Sequence, residues 1–278
     1  MKRNVFIKPA VLAGSALFAG FAFAGDPAPK AAIAPPPSDI EVNIGVGYTT
    51  EYVYRGINWG DDLFEASIDV SGDGVLAGCD LNWSAGLWLG TWSGTKMYAA
   101  DQSPGQTVAT AFRAATTGNE MRIYGQVSKS VGNFDLALGV LNRSFYGWGG
   151  GTPDADRLEP YVGLSTELAG FSLGASAHFD ESDTNIYDDL FWQVTAGKGF
   201  AVSGNATLSV TGFYAAYEGG TADGAAVYGV AAGLDIAVSD SVTVTPHVTA
   251  TLGDTLNLGD TSTDDDEITA GVKLNFGF

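Results

Sequence analysis

The sequence predicts an all-β chain that closes into a transmembrane antiparallel outer-membrane β-barrel of about 12 strands. Three observations support this fold class. Segments of about ten residues alternate between apolar and polar side chains, their connections alternate between short and long, and the chain ends on an aromatic residue within an alternating strand. Outer-membrane barrels combine an even number of such strands with short turns on one rim and long loops on the other.

The closing strand shows the pattern most clearly. From Ile268 to Phe278 every second residue is apolar, and Thr269, Lys273 and Asn275 lie between them. A period of two places the two sets on opposite faces of a strand. The end of a soluble domain is usually polar and frayed, so this ending is unusual outside a barrel. We therefore expect the last strand to close the sheet.

Eleven earlier segments repeat the pattern. Their approximate ranges are 40–49, 64–70, 80–89, 121–128, 134–143, 158–168, 171–179, 190–197, 207–214, 228–239 and 242–252. Tight turns rich in Gly, Asn and Asp are predicted at Gly132-Asn133, Ala169-Gly170, Ser203-Gly204 and Ser239-Asp240, with a less regular turn at 71–78. Longer connections are predicted at 50–62, 91–118, 144–156, 180–188, 217–226 and 253–266. The short turns then define a periplasmic rim and the long loops an external rim.

The chain divides into three parts. Residues 1–24 resemble a signal peptide, because a basic start and an apolar run precede the cleavage pattern Ala22-Phe23-Ala24. Residues 25–38 are rich in Pro and Ala and predict an extended periplasmic lead-in, which leaves 39–278 for the barrel. No later segment offers the roughly 18 uninterrupted apolar residues of a membrane-spanning helix. The only cysteine, Cys79, cannot form an internal disulfide.

Aromatic residues concentrate near the predicted strand ends, where they suit girdles at the two lipid–water interfaces. They are Tyr48, Tyr52, Tyr54, Trp88, Trp92, Phe145, Tyr146, Trp148, Phe191, Trp192, Tyr214, Tyr217, Phe276 and Phe278. Ordinary aromatic enrichment in strands is the alternative explanation. A soluble β-sandwich also alternates, but it would leave the Gly-, Ser- and Thr-rich row in water, whereas a barrel encloses that row around a lumen.

One stretch resembles a known family. The segment 48–57, Tyr-Thr-Thr-Glu-Tyr-Val-Tyr-Arg-Gly-Ile, resembles the S-D-Y-V-F-R-G-I segment of the TorF-family porins. The segment 86–92 resembles the G-x-W strand that follows in that family, and Asp61-Asp62 sits where its members carry a polar loop. The resemblance covers about the first quarter of the barrel, together with the terminal Phe278. It implies an outer-membrane barrel that forms a pore, without indicating a substrate.

The polar row predicts the lining of the lumen. Predicted pore-lining residues are Glu41, Glu51, Glu65, Asp69, Asp80, Arg122, Asp135, Arg143, Glu159, Glu167, His178, Asp235, His247, Glu267 and Lys273, with Arg55, Asp61 and Asp62 at the mouth. Carboxylates outnumber cations in this set, which predicts a preference for cations. Small inward residues predict a lumen that bulky side chains leave open, although the segment 91–118 is long enough to fold inward.

Arg55 allows two interpretations. It is the only cation near Glu51, Asp61 and Asp62, which favours a local ion pair at the barrel mouth. The alternative is that Arg55 belongs to a constriction or holds a loop as a latch.

Catalytic and metal-binding patterns are weak. The only histidines, His178 and His247, lie on the predicted inner face, and a hydrolase would need a serine within hydrogen-bond reach of one of them. Two isolated histidines do not make a zinc site. Acidic loops at 180–189 and 254–267 lack the EF-hand spacing. They are either solvated loops or sites where Ca²⁺ or Mg²⁺ orders the loops or bridges them to lipopolysaccharide phosphates.

The predicted function is a passive, cation-preferring diffusion channel of the bacterial outer membrane for small solutes or ions, with no enzyme activity and no cofactor. The alternative is a non-conducting structural or adhesive barrel that presents acidic, calcium-binding loops. Expected partners are outer-membrane lipid and lipopolysaccharide, small solutes, and the barrel assembly machinery through the C-terminal strand. With 13 Lys+Arg against 32 Asp+Glu, nucleic acid is excluded as a partner.

Overall fold

The computed structural model describes residues 40–76, 79–94, 117–146, 155–180, 190–219, 224–253 and 266–278. These residues form twelve strands: β1 Ile40–Tyr54, β2 Ile57–Leu76, β3 Cys79–Ser93, β4 Thr117–Val131, β5 Phe134–Tyr146, β6 Ala155–Leu168, β7 Phe171–Phe179, β8 Leu190–Ser203, β9 Ala206–Glu218, β10 Ala226–Ser239, β11 Val242–Gly253 and β12 Glu267–Gly277. Each strand pairs with its sequence neighbours, and β12 pairs with β1. The predicted closed antiparallel barrel of about 12 strands is confirmed.

The closing strand pairs on both sides. It runs beside β1 from Asn43↔Gly277 to Thr49↔Gly271, and the terminal residue takes part, since Phe278 N donates to Val42 O at 2.9 Å. The backbone of β12 is therefore satisfied on both edges, and the sheet has no free edge strand. Closure of this kind satisfies backbone groups without water, as a hydrocarbon environment requires.

The outer wall is apolar. Along β5 the side chains of Phe134, Leu136, Leu138 and Val140 are exposed, with Leu138 at 60%. The residues between them, such as Ala137, face the interior. Every strand from β4 to β7 shows the same division. Such a continuous exposed apolar surface would be costly in water and suits lipid chains.

The turns are short on the rim where β1 begins and β12 ends. Two of them fall where the sequence predicts, at Gly132-Asn133 and Ala169-Gly170; the latter has φ of 53° and 76°. The turns after β8 and β10 lie one residue later than predicted, at 204–205 and 240–241. The predicted turn at 71–78 is wrong for most of its length, because β2 continues in register with β3 as far as Leu76↔Cys79.

The predicted loop at 50–62 is also wrong. The strands β1 and β2 continue through it and are joined by a two-residue turn, Arg55-Gly56, with φ of 53° and 77°. Positive φ at both positions is the hairpin geometry that matches strand twist. The alternation fails here as a signal because aromatic residues occupy the inner face, so apolar side chains lie on the face expected to be polar.

Two irregularities interrupt the ladder near the base of this hairpin. The β1–β2 register shifts between Tyr52 and Val53, and the β2–β3 register shifts between Asp61 and Phe64. Asp62 lies in the second shift with φ of 51°, a left-handed conformation that is uncommon for residues other than glycine and that Asp adopts more readily than most. Bulges bend a strand locally and increase its twist. We call residues 52–60 the hairpin tip.

Several predictions fall outside the described residues. They concern the signal peptide at 1–24, the lead-in at 25–38, and the central parts of the long loops, including most of 91–118 and both acidic loops. Among the described residues, no helix is long and apolar enough to cross a membrane.

Candidate functional site

Arginines from three adjacent strands lie side by side in the lumen near the external rim. Arg122 on β4 is directly opposite Arg143 on β5, which is directly opposite Arg157 on β6. All three are buried. Like charges that face each other across a ladder repel, so this row requires compensating acids.

Glu120 supplies the first compensation. Its Oε1 lies 2.8 Å from Arg122 Nε and 2.7 Å from Arg143 Nε, and its side chain is completely buried. Tyr52 OH donates to Glu120 Oε2 at 2.5 Å. One carboxylate therefore joins two guanidinium groups on neighbouring strands and a phenol from the hairpin tip.

Glu159 supplies the second compensating charge for the arginine row. Its Oε2 lies 2.7 Å from Arg55 Nη2, and its Oε1 lies 3.4 Å from Arg143 Nη1. Burial disfavours the charge on Arg55, but the Glu159 carboxylate outweighs it and raises the pKa of Arg55. We call Arg55, Arg122, Arg143, Glu120 and Glu159 the arginine–glutamate cluster.

Asp180 extends the network beyond the end of β7. Its Oδ2 lies 3.4 Å from Arg157 Nη1. Burial raises the pKa of Asp180, the negative charge of Glu159 raises it further, and Arg157 lowers it only in part. Asp180 therefore takes up a proton more readily than a solvent-exposed aspartate does.

Aromatic rings fill the space around the cluster, inside the barrel. The buried rings are Tyr52, Tyr54, Trp59, Trp88, Trp92, Phe145, Phe191 and Tyr217. The Trp59 and Phe145 rings stack with centroids 5.0 Å apart, and the Arg122 guanidinium lies 4.0 Å from the Tyr54 ring centroid. Guanidinium groups pack favourably on aromatic faces because the ring face is electron-rich.

The girdle prediction is therefore wrong for seven of its residues: Tyr52, Tyr54, Trp88, Trp92, Phe145, Phe191 and Tyr217. Tyr48, Trp192 and Tyr214 do lie on the outer wall near the external rim; Tyr48 donates to Asp62 Oδ1 at 2.7 Å. Phe276 is half-buried and Phe278 exposed at the other rim. Trp148 and the side chain of Tyr146 lie outside the described residues.

Inward glycines hold aromatic rings instead of leaving the lumen open. Gly86 faces Tyr124 and Gly139 faces Tyr161 across the ladder, and a methyl group on either glycine would collide with the opposite ring. Further pairs of this kind are Gly118 with Trp92, Gly229 with Phe213 and Gly271 with His247. An aromatic ring that covers a cross-strand glycine stabilises a bent sheet. The expectation that small inward residues leave the lumen clear of bulky side chains is wrong in the external half.

The hairpin tip crosses the lumen to reach the opposite wall. Tyr217 OH on β9 donates to the Arg55 carbonyl at 3.1 Å, and Gly56 packs against Val227 on β10. The ion pair of Arg55 with Glu159 spans the barrel to β6. These contacts favour the latch interpretation of Arg55 over a local ion pair at the mouth.

Asn58 fixes the near side of the tip. Its Nδ2 donates to Glu267 Oε1 at 2.7 Å and to Glu51 Oε2 at 3.3 Å. Its Oδ1 accepts from Gly60 N at 3.1 Å. Asn58 is thus bonded to β1, β12 and its own strand.

Carboxylates dominate the lumen on the periplasmic side of the cluster. Glu65 pairs with Lys273 at 2.7 Å and accepts from Trp88 Nε1 at 2.6 Å. Asp69 accepts from Tyr124 OH, and Asp235 from Thr245 Oγ1 at 2.7 Å. Two cavities beside Glu65 have volumes of about 50 and 70 Å³, room for only a few water molecules.

The other predicted lining residues do not converge. Glu41, Asp80 and Glu167 are exposed at the short-turn rim, and Asp135 there accepts from Ser130 Oγ at 2.5 Å. Asp61 and Asp62 lie at the base of the hairpin, where Ser93 Oγ donates to Asp62 Oδ2 at 3.1 Å.

The histidines are packed into the wall. His178 Nε2 lies 3.2 Å from Ser176 Oγ, so a serine is within reach, but the ring is buried between Tyr161 and Phe191. A nucleophile needs an open approach for its substrate, which this pair lacks. His247 Nδ1 lies 3.3 Å from the Thr245 carbonyl oxygen. Within the described ranges, no group of three or more His, Cys, Asp or Glu is placed to hold a metal ion.

Sequence reasoning missed Glu120, Arg157 and Asn58. Glu120 lies two residues before Arg122, and Arg157 two before Glu159, so the period of two extended backwards would have found both. Asn58 had no such signal, because the hairpin tip was interpreted as a loop.

The comparisons bear on the fold. No family model matches the sequence, and no curated protein matches it. An outer membrane channel from Pseudomonas putida F1 is similar in structure, with a TM-score of 0.52 and 9% identity over 88% of this chain and 97% of that chain. The KdgM porin has a TM-score of 0.44 and 8% identity over 85% of this chain and 99% of its own. Outer membrane phospholipase A from Escherichia coli has a TM-score of 0.43 and 15% identity over 86% of this chain and 97% of its own.

At these identities the similarity shows the fold alone. The chain has the fold of an outer-membrane β-barrel. The resemblance to the TorF family is not confirmed by the comparisons. The external half of the barrel's lumen is filled by an inward-folded hairpin, four arginines and aromatic rings.

Proposed function

We propose that the chain is a porin-like channel of the bacterial outer membrane that lets small solutes or ions diffuse passively. The observation that carries this proposal is a closed barrel with an apolar outer face and a lumen that holds buried charged and polar side chains. A barrel that only filled a membrane would not need buried charges inside, because buried charges are costly to desolvate. A signal peptide at 1–24 and recognition of the C-terminal strand by the assembly machinery belong to the same proposal.

The channel is proposed to prefer cations. Inside the arginine–glutamate cluster the charges nearly balance, because the wall acids Glu120 and Glu159 pair with the wall arginines Arg122 and Arg143. On its periplasmic side, inward carboxylates outnumber the inward cations. A low-dielectric tube with this surplus raises the local concentration of cations and lowers that of anions.

A second candidate is a non-conducting structural or adhesive barrel. The packed external half of the lumen favours it, since the hairpin tip and the aromatic rings obstruct a straight path. In that case the acidic loops at 180–189 and 254–267 would be the functional surface, through calcium or through lipopolysaccharide phosphates. The two candidates differ in whether ions cross the barrel.

Single-channel recording tests the proposal. The protein is purified from bacterial outer membranes and inserted into a planar bilayer under a KCl gradient. We expect discrete conductance steps and a reversal potential of the sign for K⁺ selectivity. A folded barrel that stays silent, together with an equally silent variant whose hairpin tip is removed, would exclude the channel and leave the structural barrel.

Replacement of the histidines tests for a hydrolase. The variants His178→Gln and His247→Gln should leave conductance steps in place, and neither should change hydrolysis of ester or phospholipid substrates. A hydrolytic activity that disappears with His178→Gln would show that the barrel is an enzyme.

A further inference from the structure

Two cavities lie beside β1 in the middle of the lumen, one on each side of the ion pair between Glu65 and Lys273. Inward residues of β1, β11 and β12 line the cavity nearer the external rim, which has a volume of about 50 Å³: Thr49, Thr249, Thr251 and Thr269. The cavity nearer the short-turn rim has a volume of about 70 Å³, and its lining includes Gly45, Ser67, Asp69 and Asn275. Glu65, Trp88 and Lys273 line both cavities, so the ion pair divides them.

Gly47 allows this ion pair to span a strand. Gly47 on β1 lies directly opposite Glu65 on β2 and directly opposite Lys273 on β12, so the two side chains meet above it. Lys273 Nζ lies 2.7 Å from Glu65 Oε1, and Trp88 Nε1 donates to Glu65 Oε2 at 2.6 Å. A methyl group at Gly47 would lie only 2.8 Å from Glu65 Oε1 and 3.2 Å from Lys273 Cγ. The missing side chain therefore lets the pair lie close against the wall.

The lining of the two cavities suits small cations. Hydroxyl oxygens of the four threonines have lone pairs that can take the place of water around a cation. Three carboxylates line the cavities as well, those of Glu51, Glu65 and Asp69. The cations of the lining are Lys273 and Arg122, and Arg122 is already paired with Glu120 at 2.8 Å. The lining therefore has an excess of negative charge, which attracts cations.

The size and position of the cavities limit what can pass. Each has room for only a few water molecules, so a partly hydrated ion fits and a sugar does not. Glu51, Tyr52 and Val53 also line the external cavity, so it extends along the near side of the hairpin tip. Space therefore remains beside β1, β11 and β12, where the inward side chains are small, although rings fill the rest of the external half.

We call the two cavities, with the Glu65–Lys273 pair between them, the threonine lane. We propose that the threonine lane is the path of small monovalent cations through the barrel, and that the Glu65–Lys273 pair is its narrowest point and sets its selectivity. This inference rests on the proposed channel function and narrows the solutes to small ions. Conduction and access to the lane are measured separately, so that failure of the lane is distinguished from failure of the channel.

Substitution of the pair tests selectivity in planar bilayers under a KCl gradient. Lys273→Gln leaves the Glu65 carboxylate unpaired and should raise the permeability ratio of K⁺ to Cl⁻ at least about threefold, because it removes one positive charge from the lane. Glu65→Gln should lower the ratio by a similar factor. The matched control is Lys129→Gln, which removes a cation exposed on the outer wall and should leave the ratio unchanged. Wild-type ratios in both pair variants would overturn the proposal, since the ions would then pass elsewhere.

Gly47→Ala tests the narrow point without a change of charge. The added methyl group displaces the Glu65 and Lys273 side chains into the lane, so the single-channel conductance should fall at least about twofold. The control is Gly204→Ala, where a methyl group meets no neighbour within 4 Å, and it should conduct as the wild type does. Equal conductance in Gly47→Ala and the wild type would refute the assignment of the narrow point. Folding of each variant is checked by its resistance to proteolysis.

A thiol in the lane reports access without requiring conduction. Thr249→Cys, with Cys79 replaced by Ser so that the thiol is unique, is treated with Ag⁺ in nitrate salts, because Ag⁺ is a small monovalent cation that binds thiolates. Bound Ag⁺ is measured as thiol that no longer reacts with a maleimide after unfolding. We expect complete Ag⁺ binding and loss of most of the conductance. Binding that leaves the conductance intact, or a conducting barrel whose thiol stays free, would overturn the lane and keep the channel. A barrel that binds Ag⁺ and never conducts would refute the channel function, and the ion path with it.

Discussion

Glu120→Gln tests the proposed organisation of the lumen most directly. The carboxylate lies 2.8 and 2.7 Å from the Nε atoms of two arginines that face each other across the β4–β5 ladder. An amide of the same shape places an NH₂ group where it meets another donor, and Arg122 and Arg143 lose the carboxylate that lies between them, while Glu159 stays 3.4 Å from Arg143 Nη1. Breaking a buried ion pair by removing one partner costs about 3–5 kcal/mol.

The measurement is guanidinium unfolding of the barrel refolded in lipid vesicles, followed by tryptophan fluorescence. With a slope of about 4 kcal/mol per molar denaturant, the expected loss moves the midpoint by roughly 1 M. The exposed Glu41→Gln serves as a control and should move it very little. The double variant Glu120→Gln with Arg143→Gln should recover part of the loss, because the uncompensated charge is removed as well.

A loss below about 1 kcal/mol for Glu120→Gln would refute this reasoning, since the residue would then lie in water and not inside a packed cluster. The same result with an unchanged slope would also show that the arginine row needs no local compensation.

Three further predictions concern separate parts of the lumen. Gly139→Ala should destabilise the barrel by about 1–3 kcal/mol in the same unfolding assay, because the added methyl group displaces the Tyr161 ring. Asp69→Asn combined with Asp235→Asn should shift the reversal potential towards zero, because two inward carboxylates are lost. The pKa of Asp180 is raised in the folded barrel. The free energy of unfolding therefore falls as pH rises from the unfolded pKa to the folded pKa of this carboxyl, and it is unaffected by this carboxyl below the unfolded pKa. Asp180→Asn should therefore stabilise the barrel at neutral pH and not in acid.

The first two of these predictions have control variants on the rim. A methyl group at Gly132 meets no neighbour within 4 Å, so Gly132→Ala tests the positive φ of 66° alone. Tyr161→Leu should restore stability to Gly139→Ala but not to Gly132→Ala. Asp240→Asn, in an exposed turn, should leave the reversal potential unchanged. A stability difference between wild type and Asp180→Asn that is constant with pH would contradict the role given to this carboxyl.

The sequence by itself determined the architecture. Period-two alternation is a local property, so it identified the strands, and short turns at Gly132-Asn133 and Ala169-Gly170 fixed the order in which they pair. The alternating end of the chain indicated that the barrel closes, because such a strand has a face to bury and an edge to satisfy at the very terminus. It also placed Arg122, Arg143 and Glu159 on the inner face, where the structure has them.

Only the tertiary structure decided what the inner face does. The contact of Arg55 with Glu159 joins residues far apart in the chain, and it depends on the stagger of the strands and on the bend at the base of the hairpin, which no local pattern encodes. Likewise, the space above Gly139 is empty or filled by a ring according to which residue lies opposite it on β6. That residue is Tyr161, so a ring fills the space. Alternation specifies the face of a side chain, whereas register and curvature specify its neighbours. The packing inside the lumen therefore depends on register and curvature.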